Sequence, residues 1–515
     1  MRRPDQNLFT AISALAAERG AAQCWEVPGR EPYSWARLGA EALQYAGALG
    51  ALGVGPDDRV LVQVDKSPEA LLLYLGCLAA GAVCVPLNPA YTPAETCALA
   101  ADAEPRLIVC GPAREPELRA AMGPDTAFST LDAHAGGRLP EQARTAPPAA
   151  SVPRSSSDPA AILYTSGTTG RSRGALLSHG NLRANAGTLI GLWEFSPQDV
   201  LLHVLPVYHT HGLFVATHCA LLTGARTMLL PQFSLDAVFE HLPRATVFMG
   251  VPTHYTRLLA DPRLDHATCR GMRLFVSGSA PLLAATFVEF ERRTGHRILE
   301  RYGMSEAGII ASNPCAGARL AGSVGYALPG VEARVADDQG QERPHGDTGV
   351  LEIRGPGVFH GYWRREVANA AAFRADGFFV TGDLAQMGAD GRICIVGRAR
   401  DLVISGGLNI YPQEIELELD ALEVVVESAV IGVPHADLGE AAIAIVVRAP
   451  GAALTEPQLL NALRARLARF KLPKRVVFVD ALPRNAMGKV QKARLREQYA
   501  GICANPSRPR PGSAA

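Results

Sequence analysis

The sequence has no excess charge of either sign: 50 Lys and Arg face 50 Asp and Glu in 515 residues. That balance leaves no electrostatic footprint for nucleic acid or for an anionic membrane. No C-x-x-C pair and no metal-ligand spacing occurs among the ten cysteines, which therefore read as reduced thiols in a cytoplasmic protein. A signal peptide is also missing. Two arginines at the start are followed by Pro4, Asp5, Gln6 and Asn7 before any apolar run, and Glu18 and Arg19 come soon after. The apolar stretch 70–87 approaches spanning length, but Gly76, Gly81 and Pro86 interrupt it and Val83 and Val85 gather at its end. It predicts a buried helix, a turn at Gly81 and a buried strand AVCVPL instead of a membrane span. There is no internal repeat, and no G-K-[ST] completes a P-loop.

What is present is a large apolar fraction, 48% of residues against 19% charged, enough to build a sizeable core. The length exceeds the limit of roughly 250–300 residues for one core, so two or more folding units are expected. Over the first four hundred residues helix-like stretches alternate with short apolar strands, as in LLLYLGCLAA before AVCVPL. This alternation predicts an α/β architecture, with sheets flanked by helices. Residues 140–158, rich in Ala, Pro and Ser, read as a surface linker. Beyond Val350 strands come closely spaced, and after Arg398 the pattern PQEIELELDAL, VESAVIGVP, EAAIAIVVR, PQLLNALRARLARF reads as a compact α+β unit. Boundaries are expected at 1–398 and 399–503, with residues 504–515 a disordered tail.

Chemistry concentrates in a few loops. Thr165-Ser166-Gly167-Thr168-Thr169-Gly170-Arg171-Ser172-Arg173-Gly174 follows the apolar strand AAILY. Its glycines free backbone N–H groups to face an anion, hydroxyls add donors and Arg173 adds a cation. Alone, such a loop is as readily a solvated surface turn. Further along stand Arg301-Tyr302-Gly303-Met304-Ser305-Glu306, Thr381-Gly382-Asp383, Gly397-Arg398-Ala399-Arg400-Asp401, Ser405-Gly406-Gly407-Leu408-Asn409-Ile410-Tyr411-Pro412, and Pro483-Arg484-Asn485-Ala486-Met487-Gly488-Lys489.

In this order the motifs resemble the adenylate-forming superfamily, which includes acyl-CoA synthetases, luciferases and peptide-synthetase adenylation domains. The resemblance runs from about residue 8 to 500, and implies a large N-terminal domain plus a small mobile C-terminal lid hinged near Arg400. It also implies a two-step reaction: a carboxylate attacks the α-phosphate of ATP, pyrophosphate leaves, and the thiol of coenzyme A then expels AMP from the acyl-adenylate. Residues 165–170 and Arg173 would cradle phosphates, and Tyr302, with Gly303, Met304 and Ser305, would flank adenine. Asp383 and Arg398 would hold the ribose, Glu306 and Thr168 would ligate Mg²⁺, and Lys489 would bridge phosphate and acyl oxygens. Domain rotation would exchange the Lys489 loop for Gly406 and Gly407, beside which pantetheine passes. Arg173 stands where the family usually has Lys.

The stretches HVLPVYHTHGLF, GVPTHYTRLL, VSGSAPLL and LPRNAMGKVQK are similar to those of malonyl-CoA synthetases. On that likeness His209 gates carboxylate entry and His211 is structural. Arg301, with Ser277, receives the second carboxylate of malonate or methylmalonate. Arg257 either supports Arg301 or lies on a helix surface, and Ile309, Ile310 and Ala311 are expected near the pocket floor. An internal ion pair from Arg301 to Glu300 is the bland alternative. A ligase for a fatty or aryl monocarboxylate, a carrier-protein loading module and a non-catalytic nucleotide binder are the competing functions. No membrane or nucleic-acid partner is expected, and the chain is taken as a monomer or weak homodimer.

Overall fold

A computed structural model describes residues 5–122, 126–165, 172–405, 408–435, 438–464, 466–485 and 488–503. Those residues form four sheets of nine, six, four and five strands.

The run at 70–87 shows how local sequence dictates the elements. Ser67 caps the helix Pro68–Ala80 by accepting from the Ala70 N–H, and Gly81 ends it in the left-handed region at φ +71°. Almost every side chain of this helix is buried, so its apolar content runs all round. The buried strand Val83–Pro86 follows and pairs in parallel with Arg59–Gln63. These two join Leu107–Cys110, Phe128–Thr130 and Pro159–Thr165 in the six-stranded sheet, closed by the antiparallel edge strand Arg173–Ser178. The linker expected at 140–158 is partly helical, because Arg138–Thr145 forms a helix that buries Leu139 and Ala143.

The nine-stranded sheet carries a parallel set in the spatial order Leu299–Met304, Leu274–Ser277, Val247–Gly250, Val200–His203, Arg226–Leu229. All of these strands but Arg226–Leu229 open at their C-terminal ends into loops that bear the motifs, where open α/β sheets place their ligands. A four-stranded antiparallel sheet, Glu332–Ala336, Gly349–Arg354, Phe379–Met387 and Ile393–Arg398, explains the closely spaced strands read beyond Val350. The five-stranded sheet after Arg398 is built on the long hairpin Val425–His435 with Gly439–Arg448, packed by helices Pro412–Asp420 and Glu456–Arg464. The fold is thus mixed α/β, with a large sheet-rich N-terminal part and a smaller C-terminal part, as the alternation predicts. No helix of the described residues is long and apolar enough to cross a membrane.

Candidate active site

Strand Leu299–Met304 turns tightly into the antiparallel strand Gly308–Ser312, and Glu306 sits on that turn. Gly303 is required for it: a Cβ there would lie 2.2 Å from the Gly308 carbonyl oxygen. Asn185 pins the turn, its amide accepting from the Ile309 N–H and donating to the Ile309 carbonyl. The Glu306 carboxylate is buried and accepts from Tyr362 Oη at 3.1 Å. Burial raises its pKa above the ordinary carboxylate value. The Arg173 guanidinium lies 5.5 Å from the centre of the same Tyr362 ring. Thr165 and Arg173 are paired across the two strands that flank the glycine-rich loop, so Arg173 is fixed at the loop's exit. Ser166, Gly167, Thr168, Thr169, Gly170, Gly406 and Gly407 lie outside the described residues.

On the facing antiparallel sheet, Asp383 and Arg398 are cross-strand partners, and Arg398 Nε reaches Asp383 Oδ1 at 2.6 Å. Tyr302 donates its hydroxyl to Asp383 Oδ2. One buried carboxylate therefore ties Tyr302, from the large sheet, to Arg398. Lys489 acts on this cluster from the C-terminal part: burial and then Arg398 lower its ammonium pKa, and its charge is among those felt by Asp383. Met304 and Ser305 continue from Tyr302 into the turn and are partly exposed.

The second half of the site surrounds Arg301. Successive strand residues face opposite sides, so Glu300 and Arg301 do not pair. Among the described residues no acid lies within ion-pair distance of Arg301, which disposes of the internal salt bridge. Arg301 is 5% exposed, its Nε and Nη2 have no hydrogen-bond partner, and burial lowers its pKa to about 9. Ser277, fully buried at the end of the neighbouring strand, also leaves Oγ without a partner. Gly278 is what lets the guanidinium lie against this strand, since a Cβ there would meet Arg301 Cζ at 2.3 Å.

His211 begins the wide-turned π-helix His211–Thr217, a type of distortion frequent at functional sites, and His209 stands two residues before it. The wide turn has a local cause: the Gly212 carbonyl accepts the Thr217 hydroxyl at 2.8 Å as well as a contact from His203 Nε2 at 3.0 Å. His209 is half-buried beside the Tyr208 ring, and burial lowers its pKa to about 4. His211 is buried with Nδ1 3.3 Å from Ser279 Oγ and Nε2 unpartnered. Neither belongs to a group of three or more ligands able to hold a metal among the described residues. Arg257 is exposed on helix Pro252–Ala260, so it takes the helix-surface alternative. Ile309, Ile310 and Ala311 are buried, Ile309 in one apolar core and Ile310 and Ala311 in another. Tyr362 is a site residue that no motif marks, whereas Gly278 and Ser279 lie in the quoted stretch VSGSAPLL, in which the sequence assigns a role to Ser277 alone.

The geometry therefore offers a nucleotide half and an acyl half on adjacent strand ends. A family model for AMP-binding enzymes matches residues 14–363, and one for the AMP-binding enzyme C-terminal domain matches 414–489. An indoleacetate–CoA ligase of Aromatoleum aromaticum is 37% identical over 478 residues, 91% of this chain and 93% of that protein. The mitochondrial malonate–CoA ligase of Mus musculus is 40% identical over 375 residues, covering 66% of this chain and 64% of its own length. ATP-bound MatB of Rhodopseudomonas palustris superimposes with a TM-score of 0.93 at 50% identity, over 97% of this chain and all of that one. Its apo form gives 0.83. The chain belongs to the AMP-binding enzyme family of ATP-dependent acid–thiol ligases.

Proposed function

We propose that the protein joins malonate to coenzyme A through a malonyl-adenylate, releasing AMP and pyrophosphate. The observation that carries the substrate is Arg301: a buried guanidinium with two unpartnered nitrogens, set beside an unpartnered Ser277 hydroxyl. Leaving a charge buried and unpaired costs several kcal/mol, whereas a carboxylate satisfies an arginine fork bidentately. The malonate–CoA ligase relatives and the MatB likeness support the same choice.

One malonate carboxylate would rest on Arg301 and Ser277 while the other faces the α-phosphate. An oxygen of that second carboxylate forms the bond to the α-phosphorus as the bond to pyrophosphate breaks. Negative charge grows on phosphate oxygens in this step, so fixed cations carry the catalysis. Arg173 and Lys489 would supply those cations. Tyr302 would flank adenine, and Asp383, held by Arg398, would take the ribose hydroxyls. Gly303, Met304 and Ser305 would line the base. The buried Glu306, whose recorded side-chain partner is a neutral tyrosine, has the character of a Mg²⁺ ligand, with Thr168 as its expected companion. Bound there, the ion would neutralise developing phosphate charge. His209, neutral at pH 7, would gate the carboxylate. In the second step the CoA sulfur bonds to the acyl carbon, the AMP oxygen leaves with the bonding electrons, and Gly406 and Gly407 give room for pantetheine. The two-domain division at 399 and the hinge at Arg400 belong to this reading.

The test is pyrophosphate release with ATP and Mg²⁺ across acetate, malonate, methylmalonate, octanoate and 4-coumarate, for the wild type and Arg301→Ala. Malonate should be preferred, and the preference should collapse in the variant. A preference for octanoate or coumarate would keep the enzyme class and overturn the substrate.

A further inference from the structure

The unpartnered polar atoms of the acyl half include one more that the reaction above does not use. His211 is 2% exposed, and its Nε2 has no partner among the described residues. On the other side of the ring, Nδ1 lies 3.3 Å from Ser279 Oγ. Ser279 has φ +74°, a left-handed conformation that costs a non-glycine residue energy and that persists where surrounding structure enforces it. Its hydroxyl can donate to Nδ1, and that fixes the tautomer with the proton on Nε2. The ring then presents a buried donor with nothing to receive it. Burial first, and then the nearby Arg301 charge, keep the imidazole neutral, and Lys66 holds the neighbouring His203 through Nδ1 at 2.9 Å. Among the described residues the charges acting on His211 are those of Arg301, His203 and His254, none of them a carboxylate. Arg301 is itself a donor, so only a ligand acceptor can satisfy both.

We propose that His211, oriented by Ser279, is a specificity-determining residue whose Nε2–H donates to the carboxylate received by Arg301. This rests on the dicarboxylate reading above and reassigns a histidine that the sequence gives a structural role. A hydrogen bond from a neutral donor to a charged acceptor selects a dicarboxylate over a monocarboxylate of the same length, because the latter leaves both donors unpaired.

The experiment measures KM and kcat for malonate, propionate and ATP by pyrophosphate release in wild type, His211→Phe, His211→Gln, Ser279→Ala and Arg301→Ala. His211→Phe should raise the malonate KM about tenfold, the size of one lost charge-assisted bond, with propionate and ATP values within about twofold. His211→Gln, which retains a donor, should recover part of the loss. Ser279→Ala, which removes no core volume, should shift malonate in the same direction. If Arg301→Ala destroys the malonate preference while His211→Phe and Ser279→Ala leave the malonate-to-propionate ratio unchanged, the His211 assignment falls. Equal losses for malonate, propionate and ATP in His211→Phe, with no effect of Ser279→Ala, would likewise return it to a structural role. Retention of the malonate preference by Arg301→Ala would overturn the dicarboxylate reading itself.

Discussion

Two neighbouring residues on one strand show how a single backbone step separates chemistry from stability. Arg301 points to the acyl half, while Glu300 points the other way, 5% exposed, with Oε1 accepting from the Leu282 N–H at 3.2 Å and Oε2 unpartnered. Burial pushes the Glu300 pKa up to about 7. A carboxyl whose folded pKa is raised binds its proton more tightly folded than unfolded. Its contribution is complete below the unfolded value near 4.5 and is lost as pH rises through about 7. At pH 8 that loss is on the order of 3 kcal/mol, because each pKa unit is about 1.4 kcal/mol. Glu300→Gln should therefore raise the melting temperature at pH 8 and change it little at pH 5. Melting curves of both proteins at the two pH values check this, and equal shifts at both would show that the carboxyl does not titrate in that window. The malonate preference should survive the substitution, since Arg301 does not depend on Glu300.

At the scale of elements, the π-helix His211–Thr217 positions the histidines by a close approach that tolerates no side chain at Gly212. A Cβ there would lie 1.9 Å from the Pro206 carbonyl oxygen and 3.2 Å from Leu205 Cβ. Gly212→Ala must displace backbone, and overpacking of this kind costs about 1–3 kcal/mol. The variant should melt lower and lose carboxylate affinity, while ATP binding, which uses the other half of the site, is kept. Separate KM values for ATP and malonate, together with a melting curve, test this. The elements themselves were largely legible, because apolar period and punctuation are local signals: the helix Pro68–Ala80, the turn at Gly81 and the strand Val83–Pro86 fall where the sequence put them. The helix within the stretch read as a linker at 140–158 was not legible, since its three buried residues, Leu139, Pro140 and Ala143, show no clear period among prolines and alanines. The π-turn was not legible at all. It depends on the His203 and Thr217 side chains meeting the Gly212 carbonyl, and no apolar period or turn residue announces such a meeting. The same limit hid Tyr362, which reaches Glu306 from 56 positions away.

At the scale of the whole molecule, the C-terminal loop is docked on the nucleotide half. A Cβ at Gly488 would stand 3.1 Å from Thr253 Oγ1, and the adjacent Lys489 shares the field of Asp383 and Arg398. Arg496 Nη2 reaches Asp401 Oδ1 at 2.5 Å, tying the last helix to the turn after Arg398. The likeness is greater to the ATP-bound relative than to its apo form. Meanwhile Leu408, next in sequence after Gly407, is 48% exposed, an apolar side chain left in water in this arrangement. A docked lysine with an exposed apolar hairpin is the arrangement that the proposed domain rotation assigns to the first half-reaction, since on that proposal the second would bring the hairpin inward and take the lysine away. The two half-reactions should then separate by mutation. Lys489→Ala removes a cation from the phosphate side, so adenylate formation should fall by at least about a hundredfold, the loss typical of one preorganised charge donor. CoA transfer to a supplied malonyl-adenylate should remain within a few fold. Leu408→Ser should do the reverse, sparing pyrophosphate release and slowing thioester formation. Single-turnover assays of each half-reaction decide the matter: loss of both steps in Lys489→Ala would mean that the lysine holds the fold or the nucleotide throughout, and that one arrangement of the two parts serves the entire reaction.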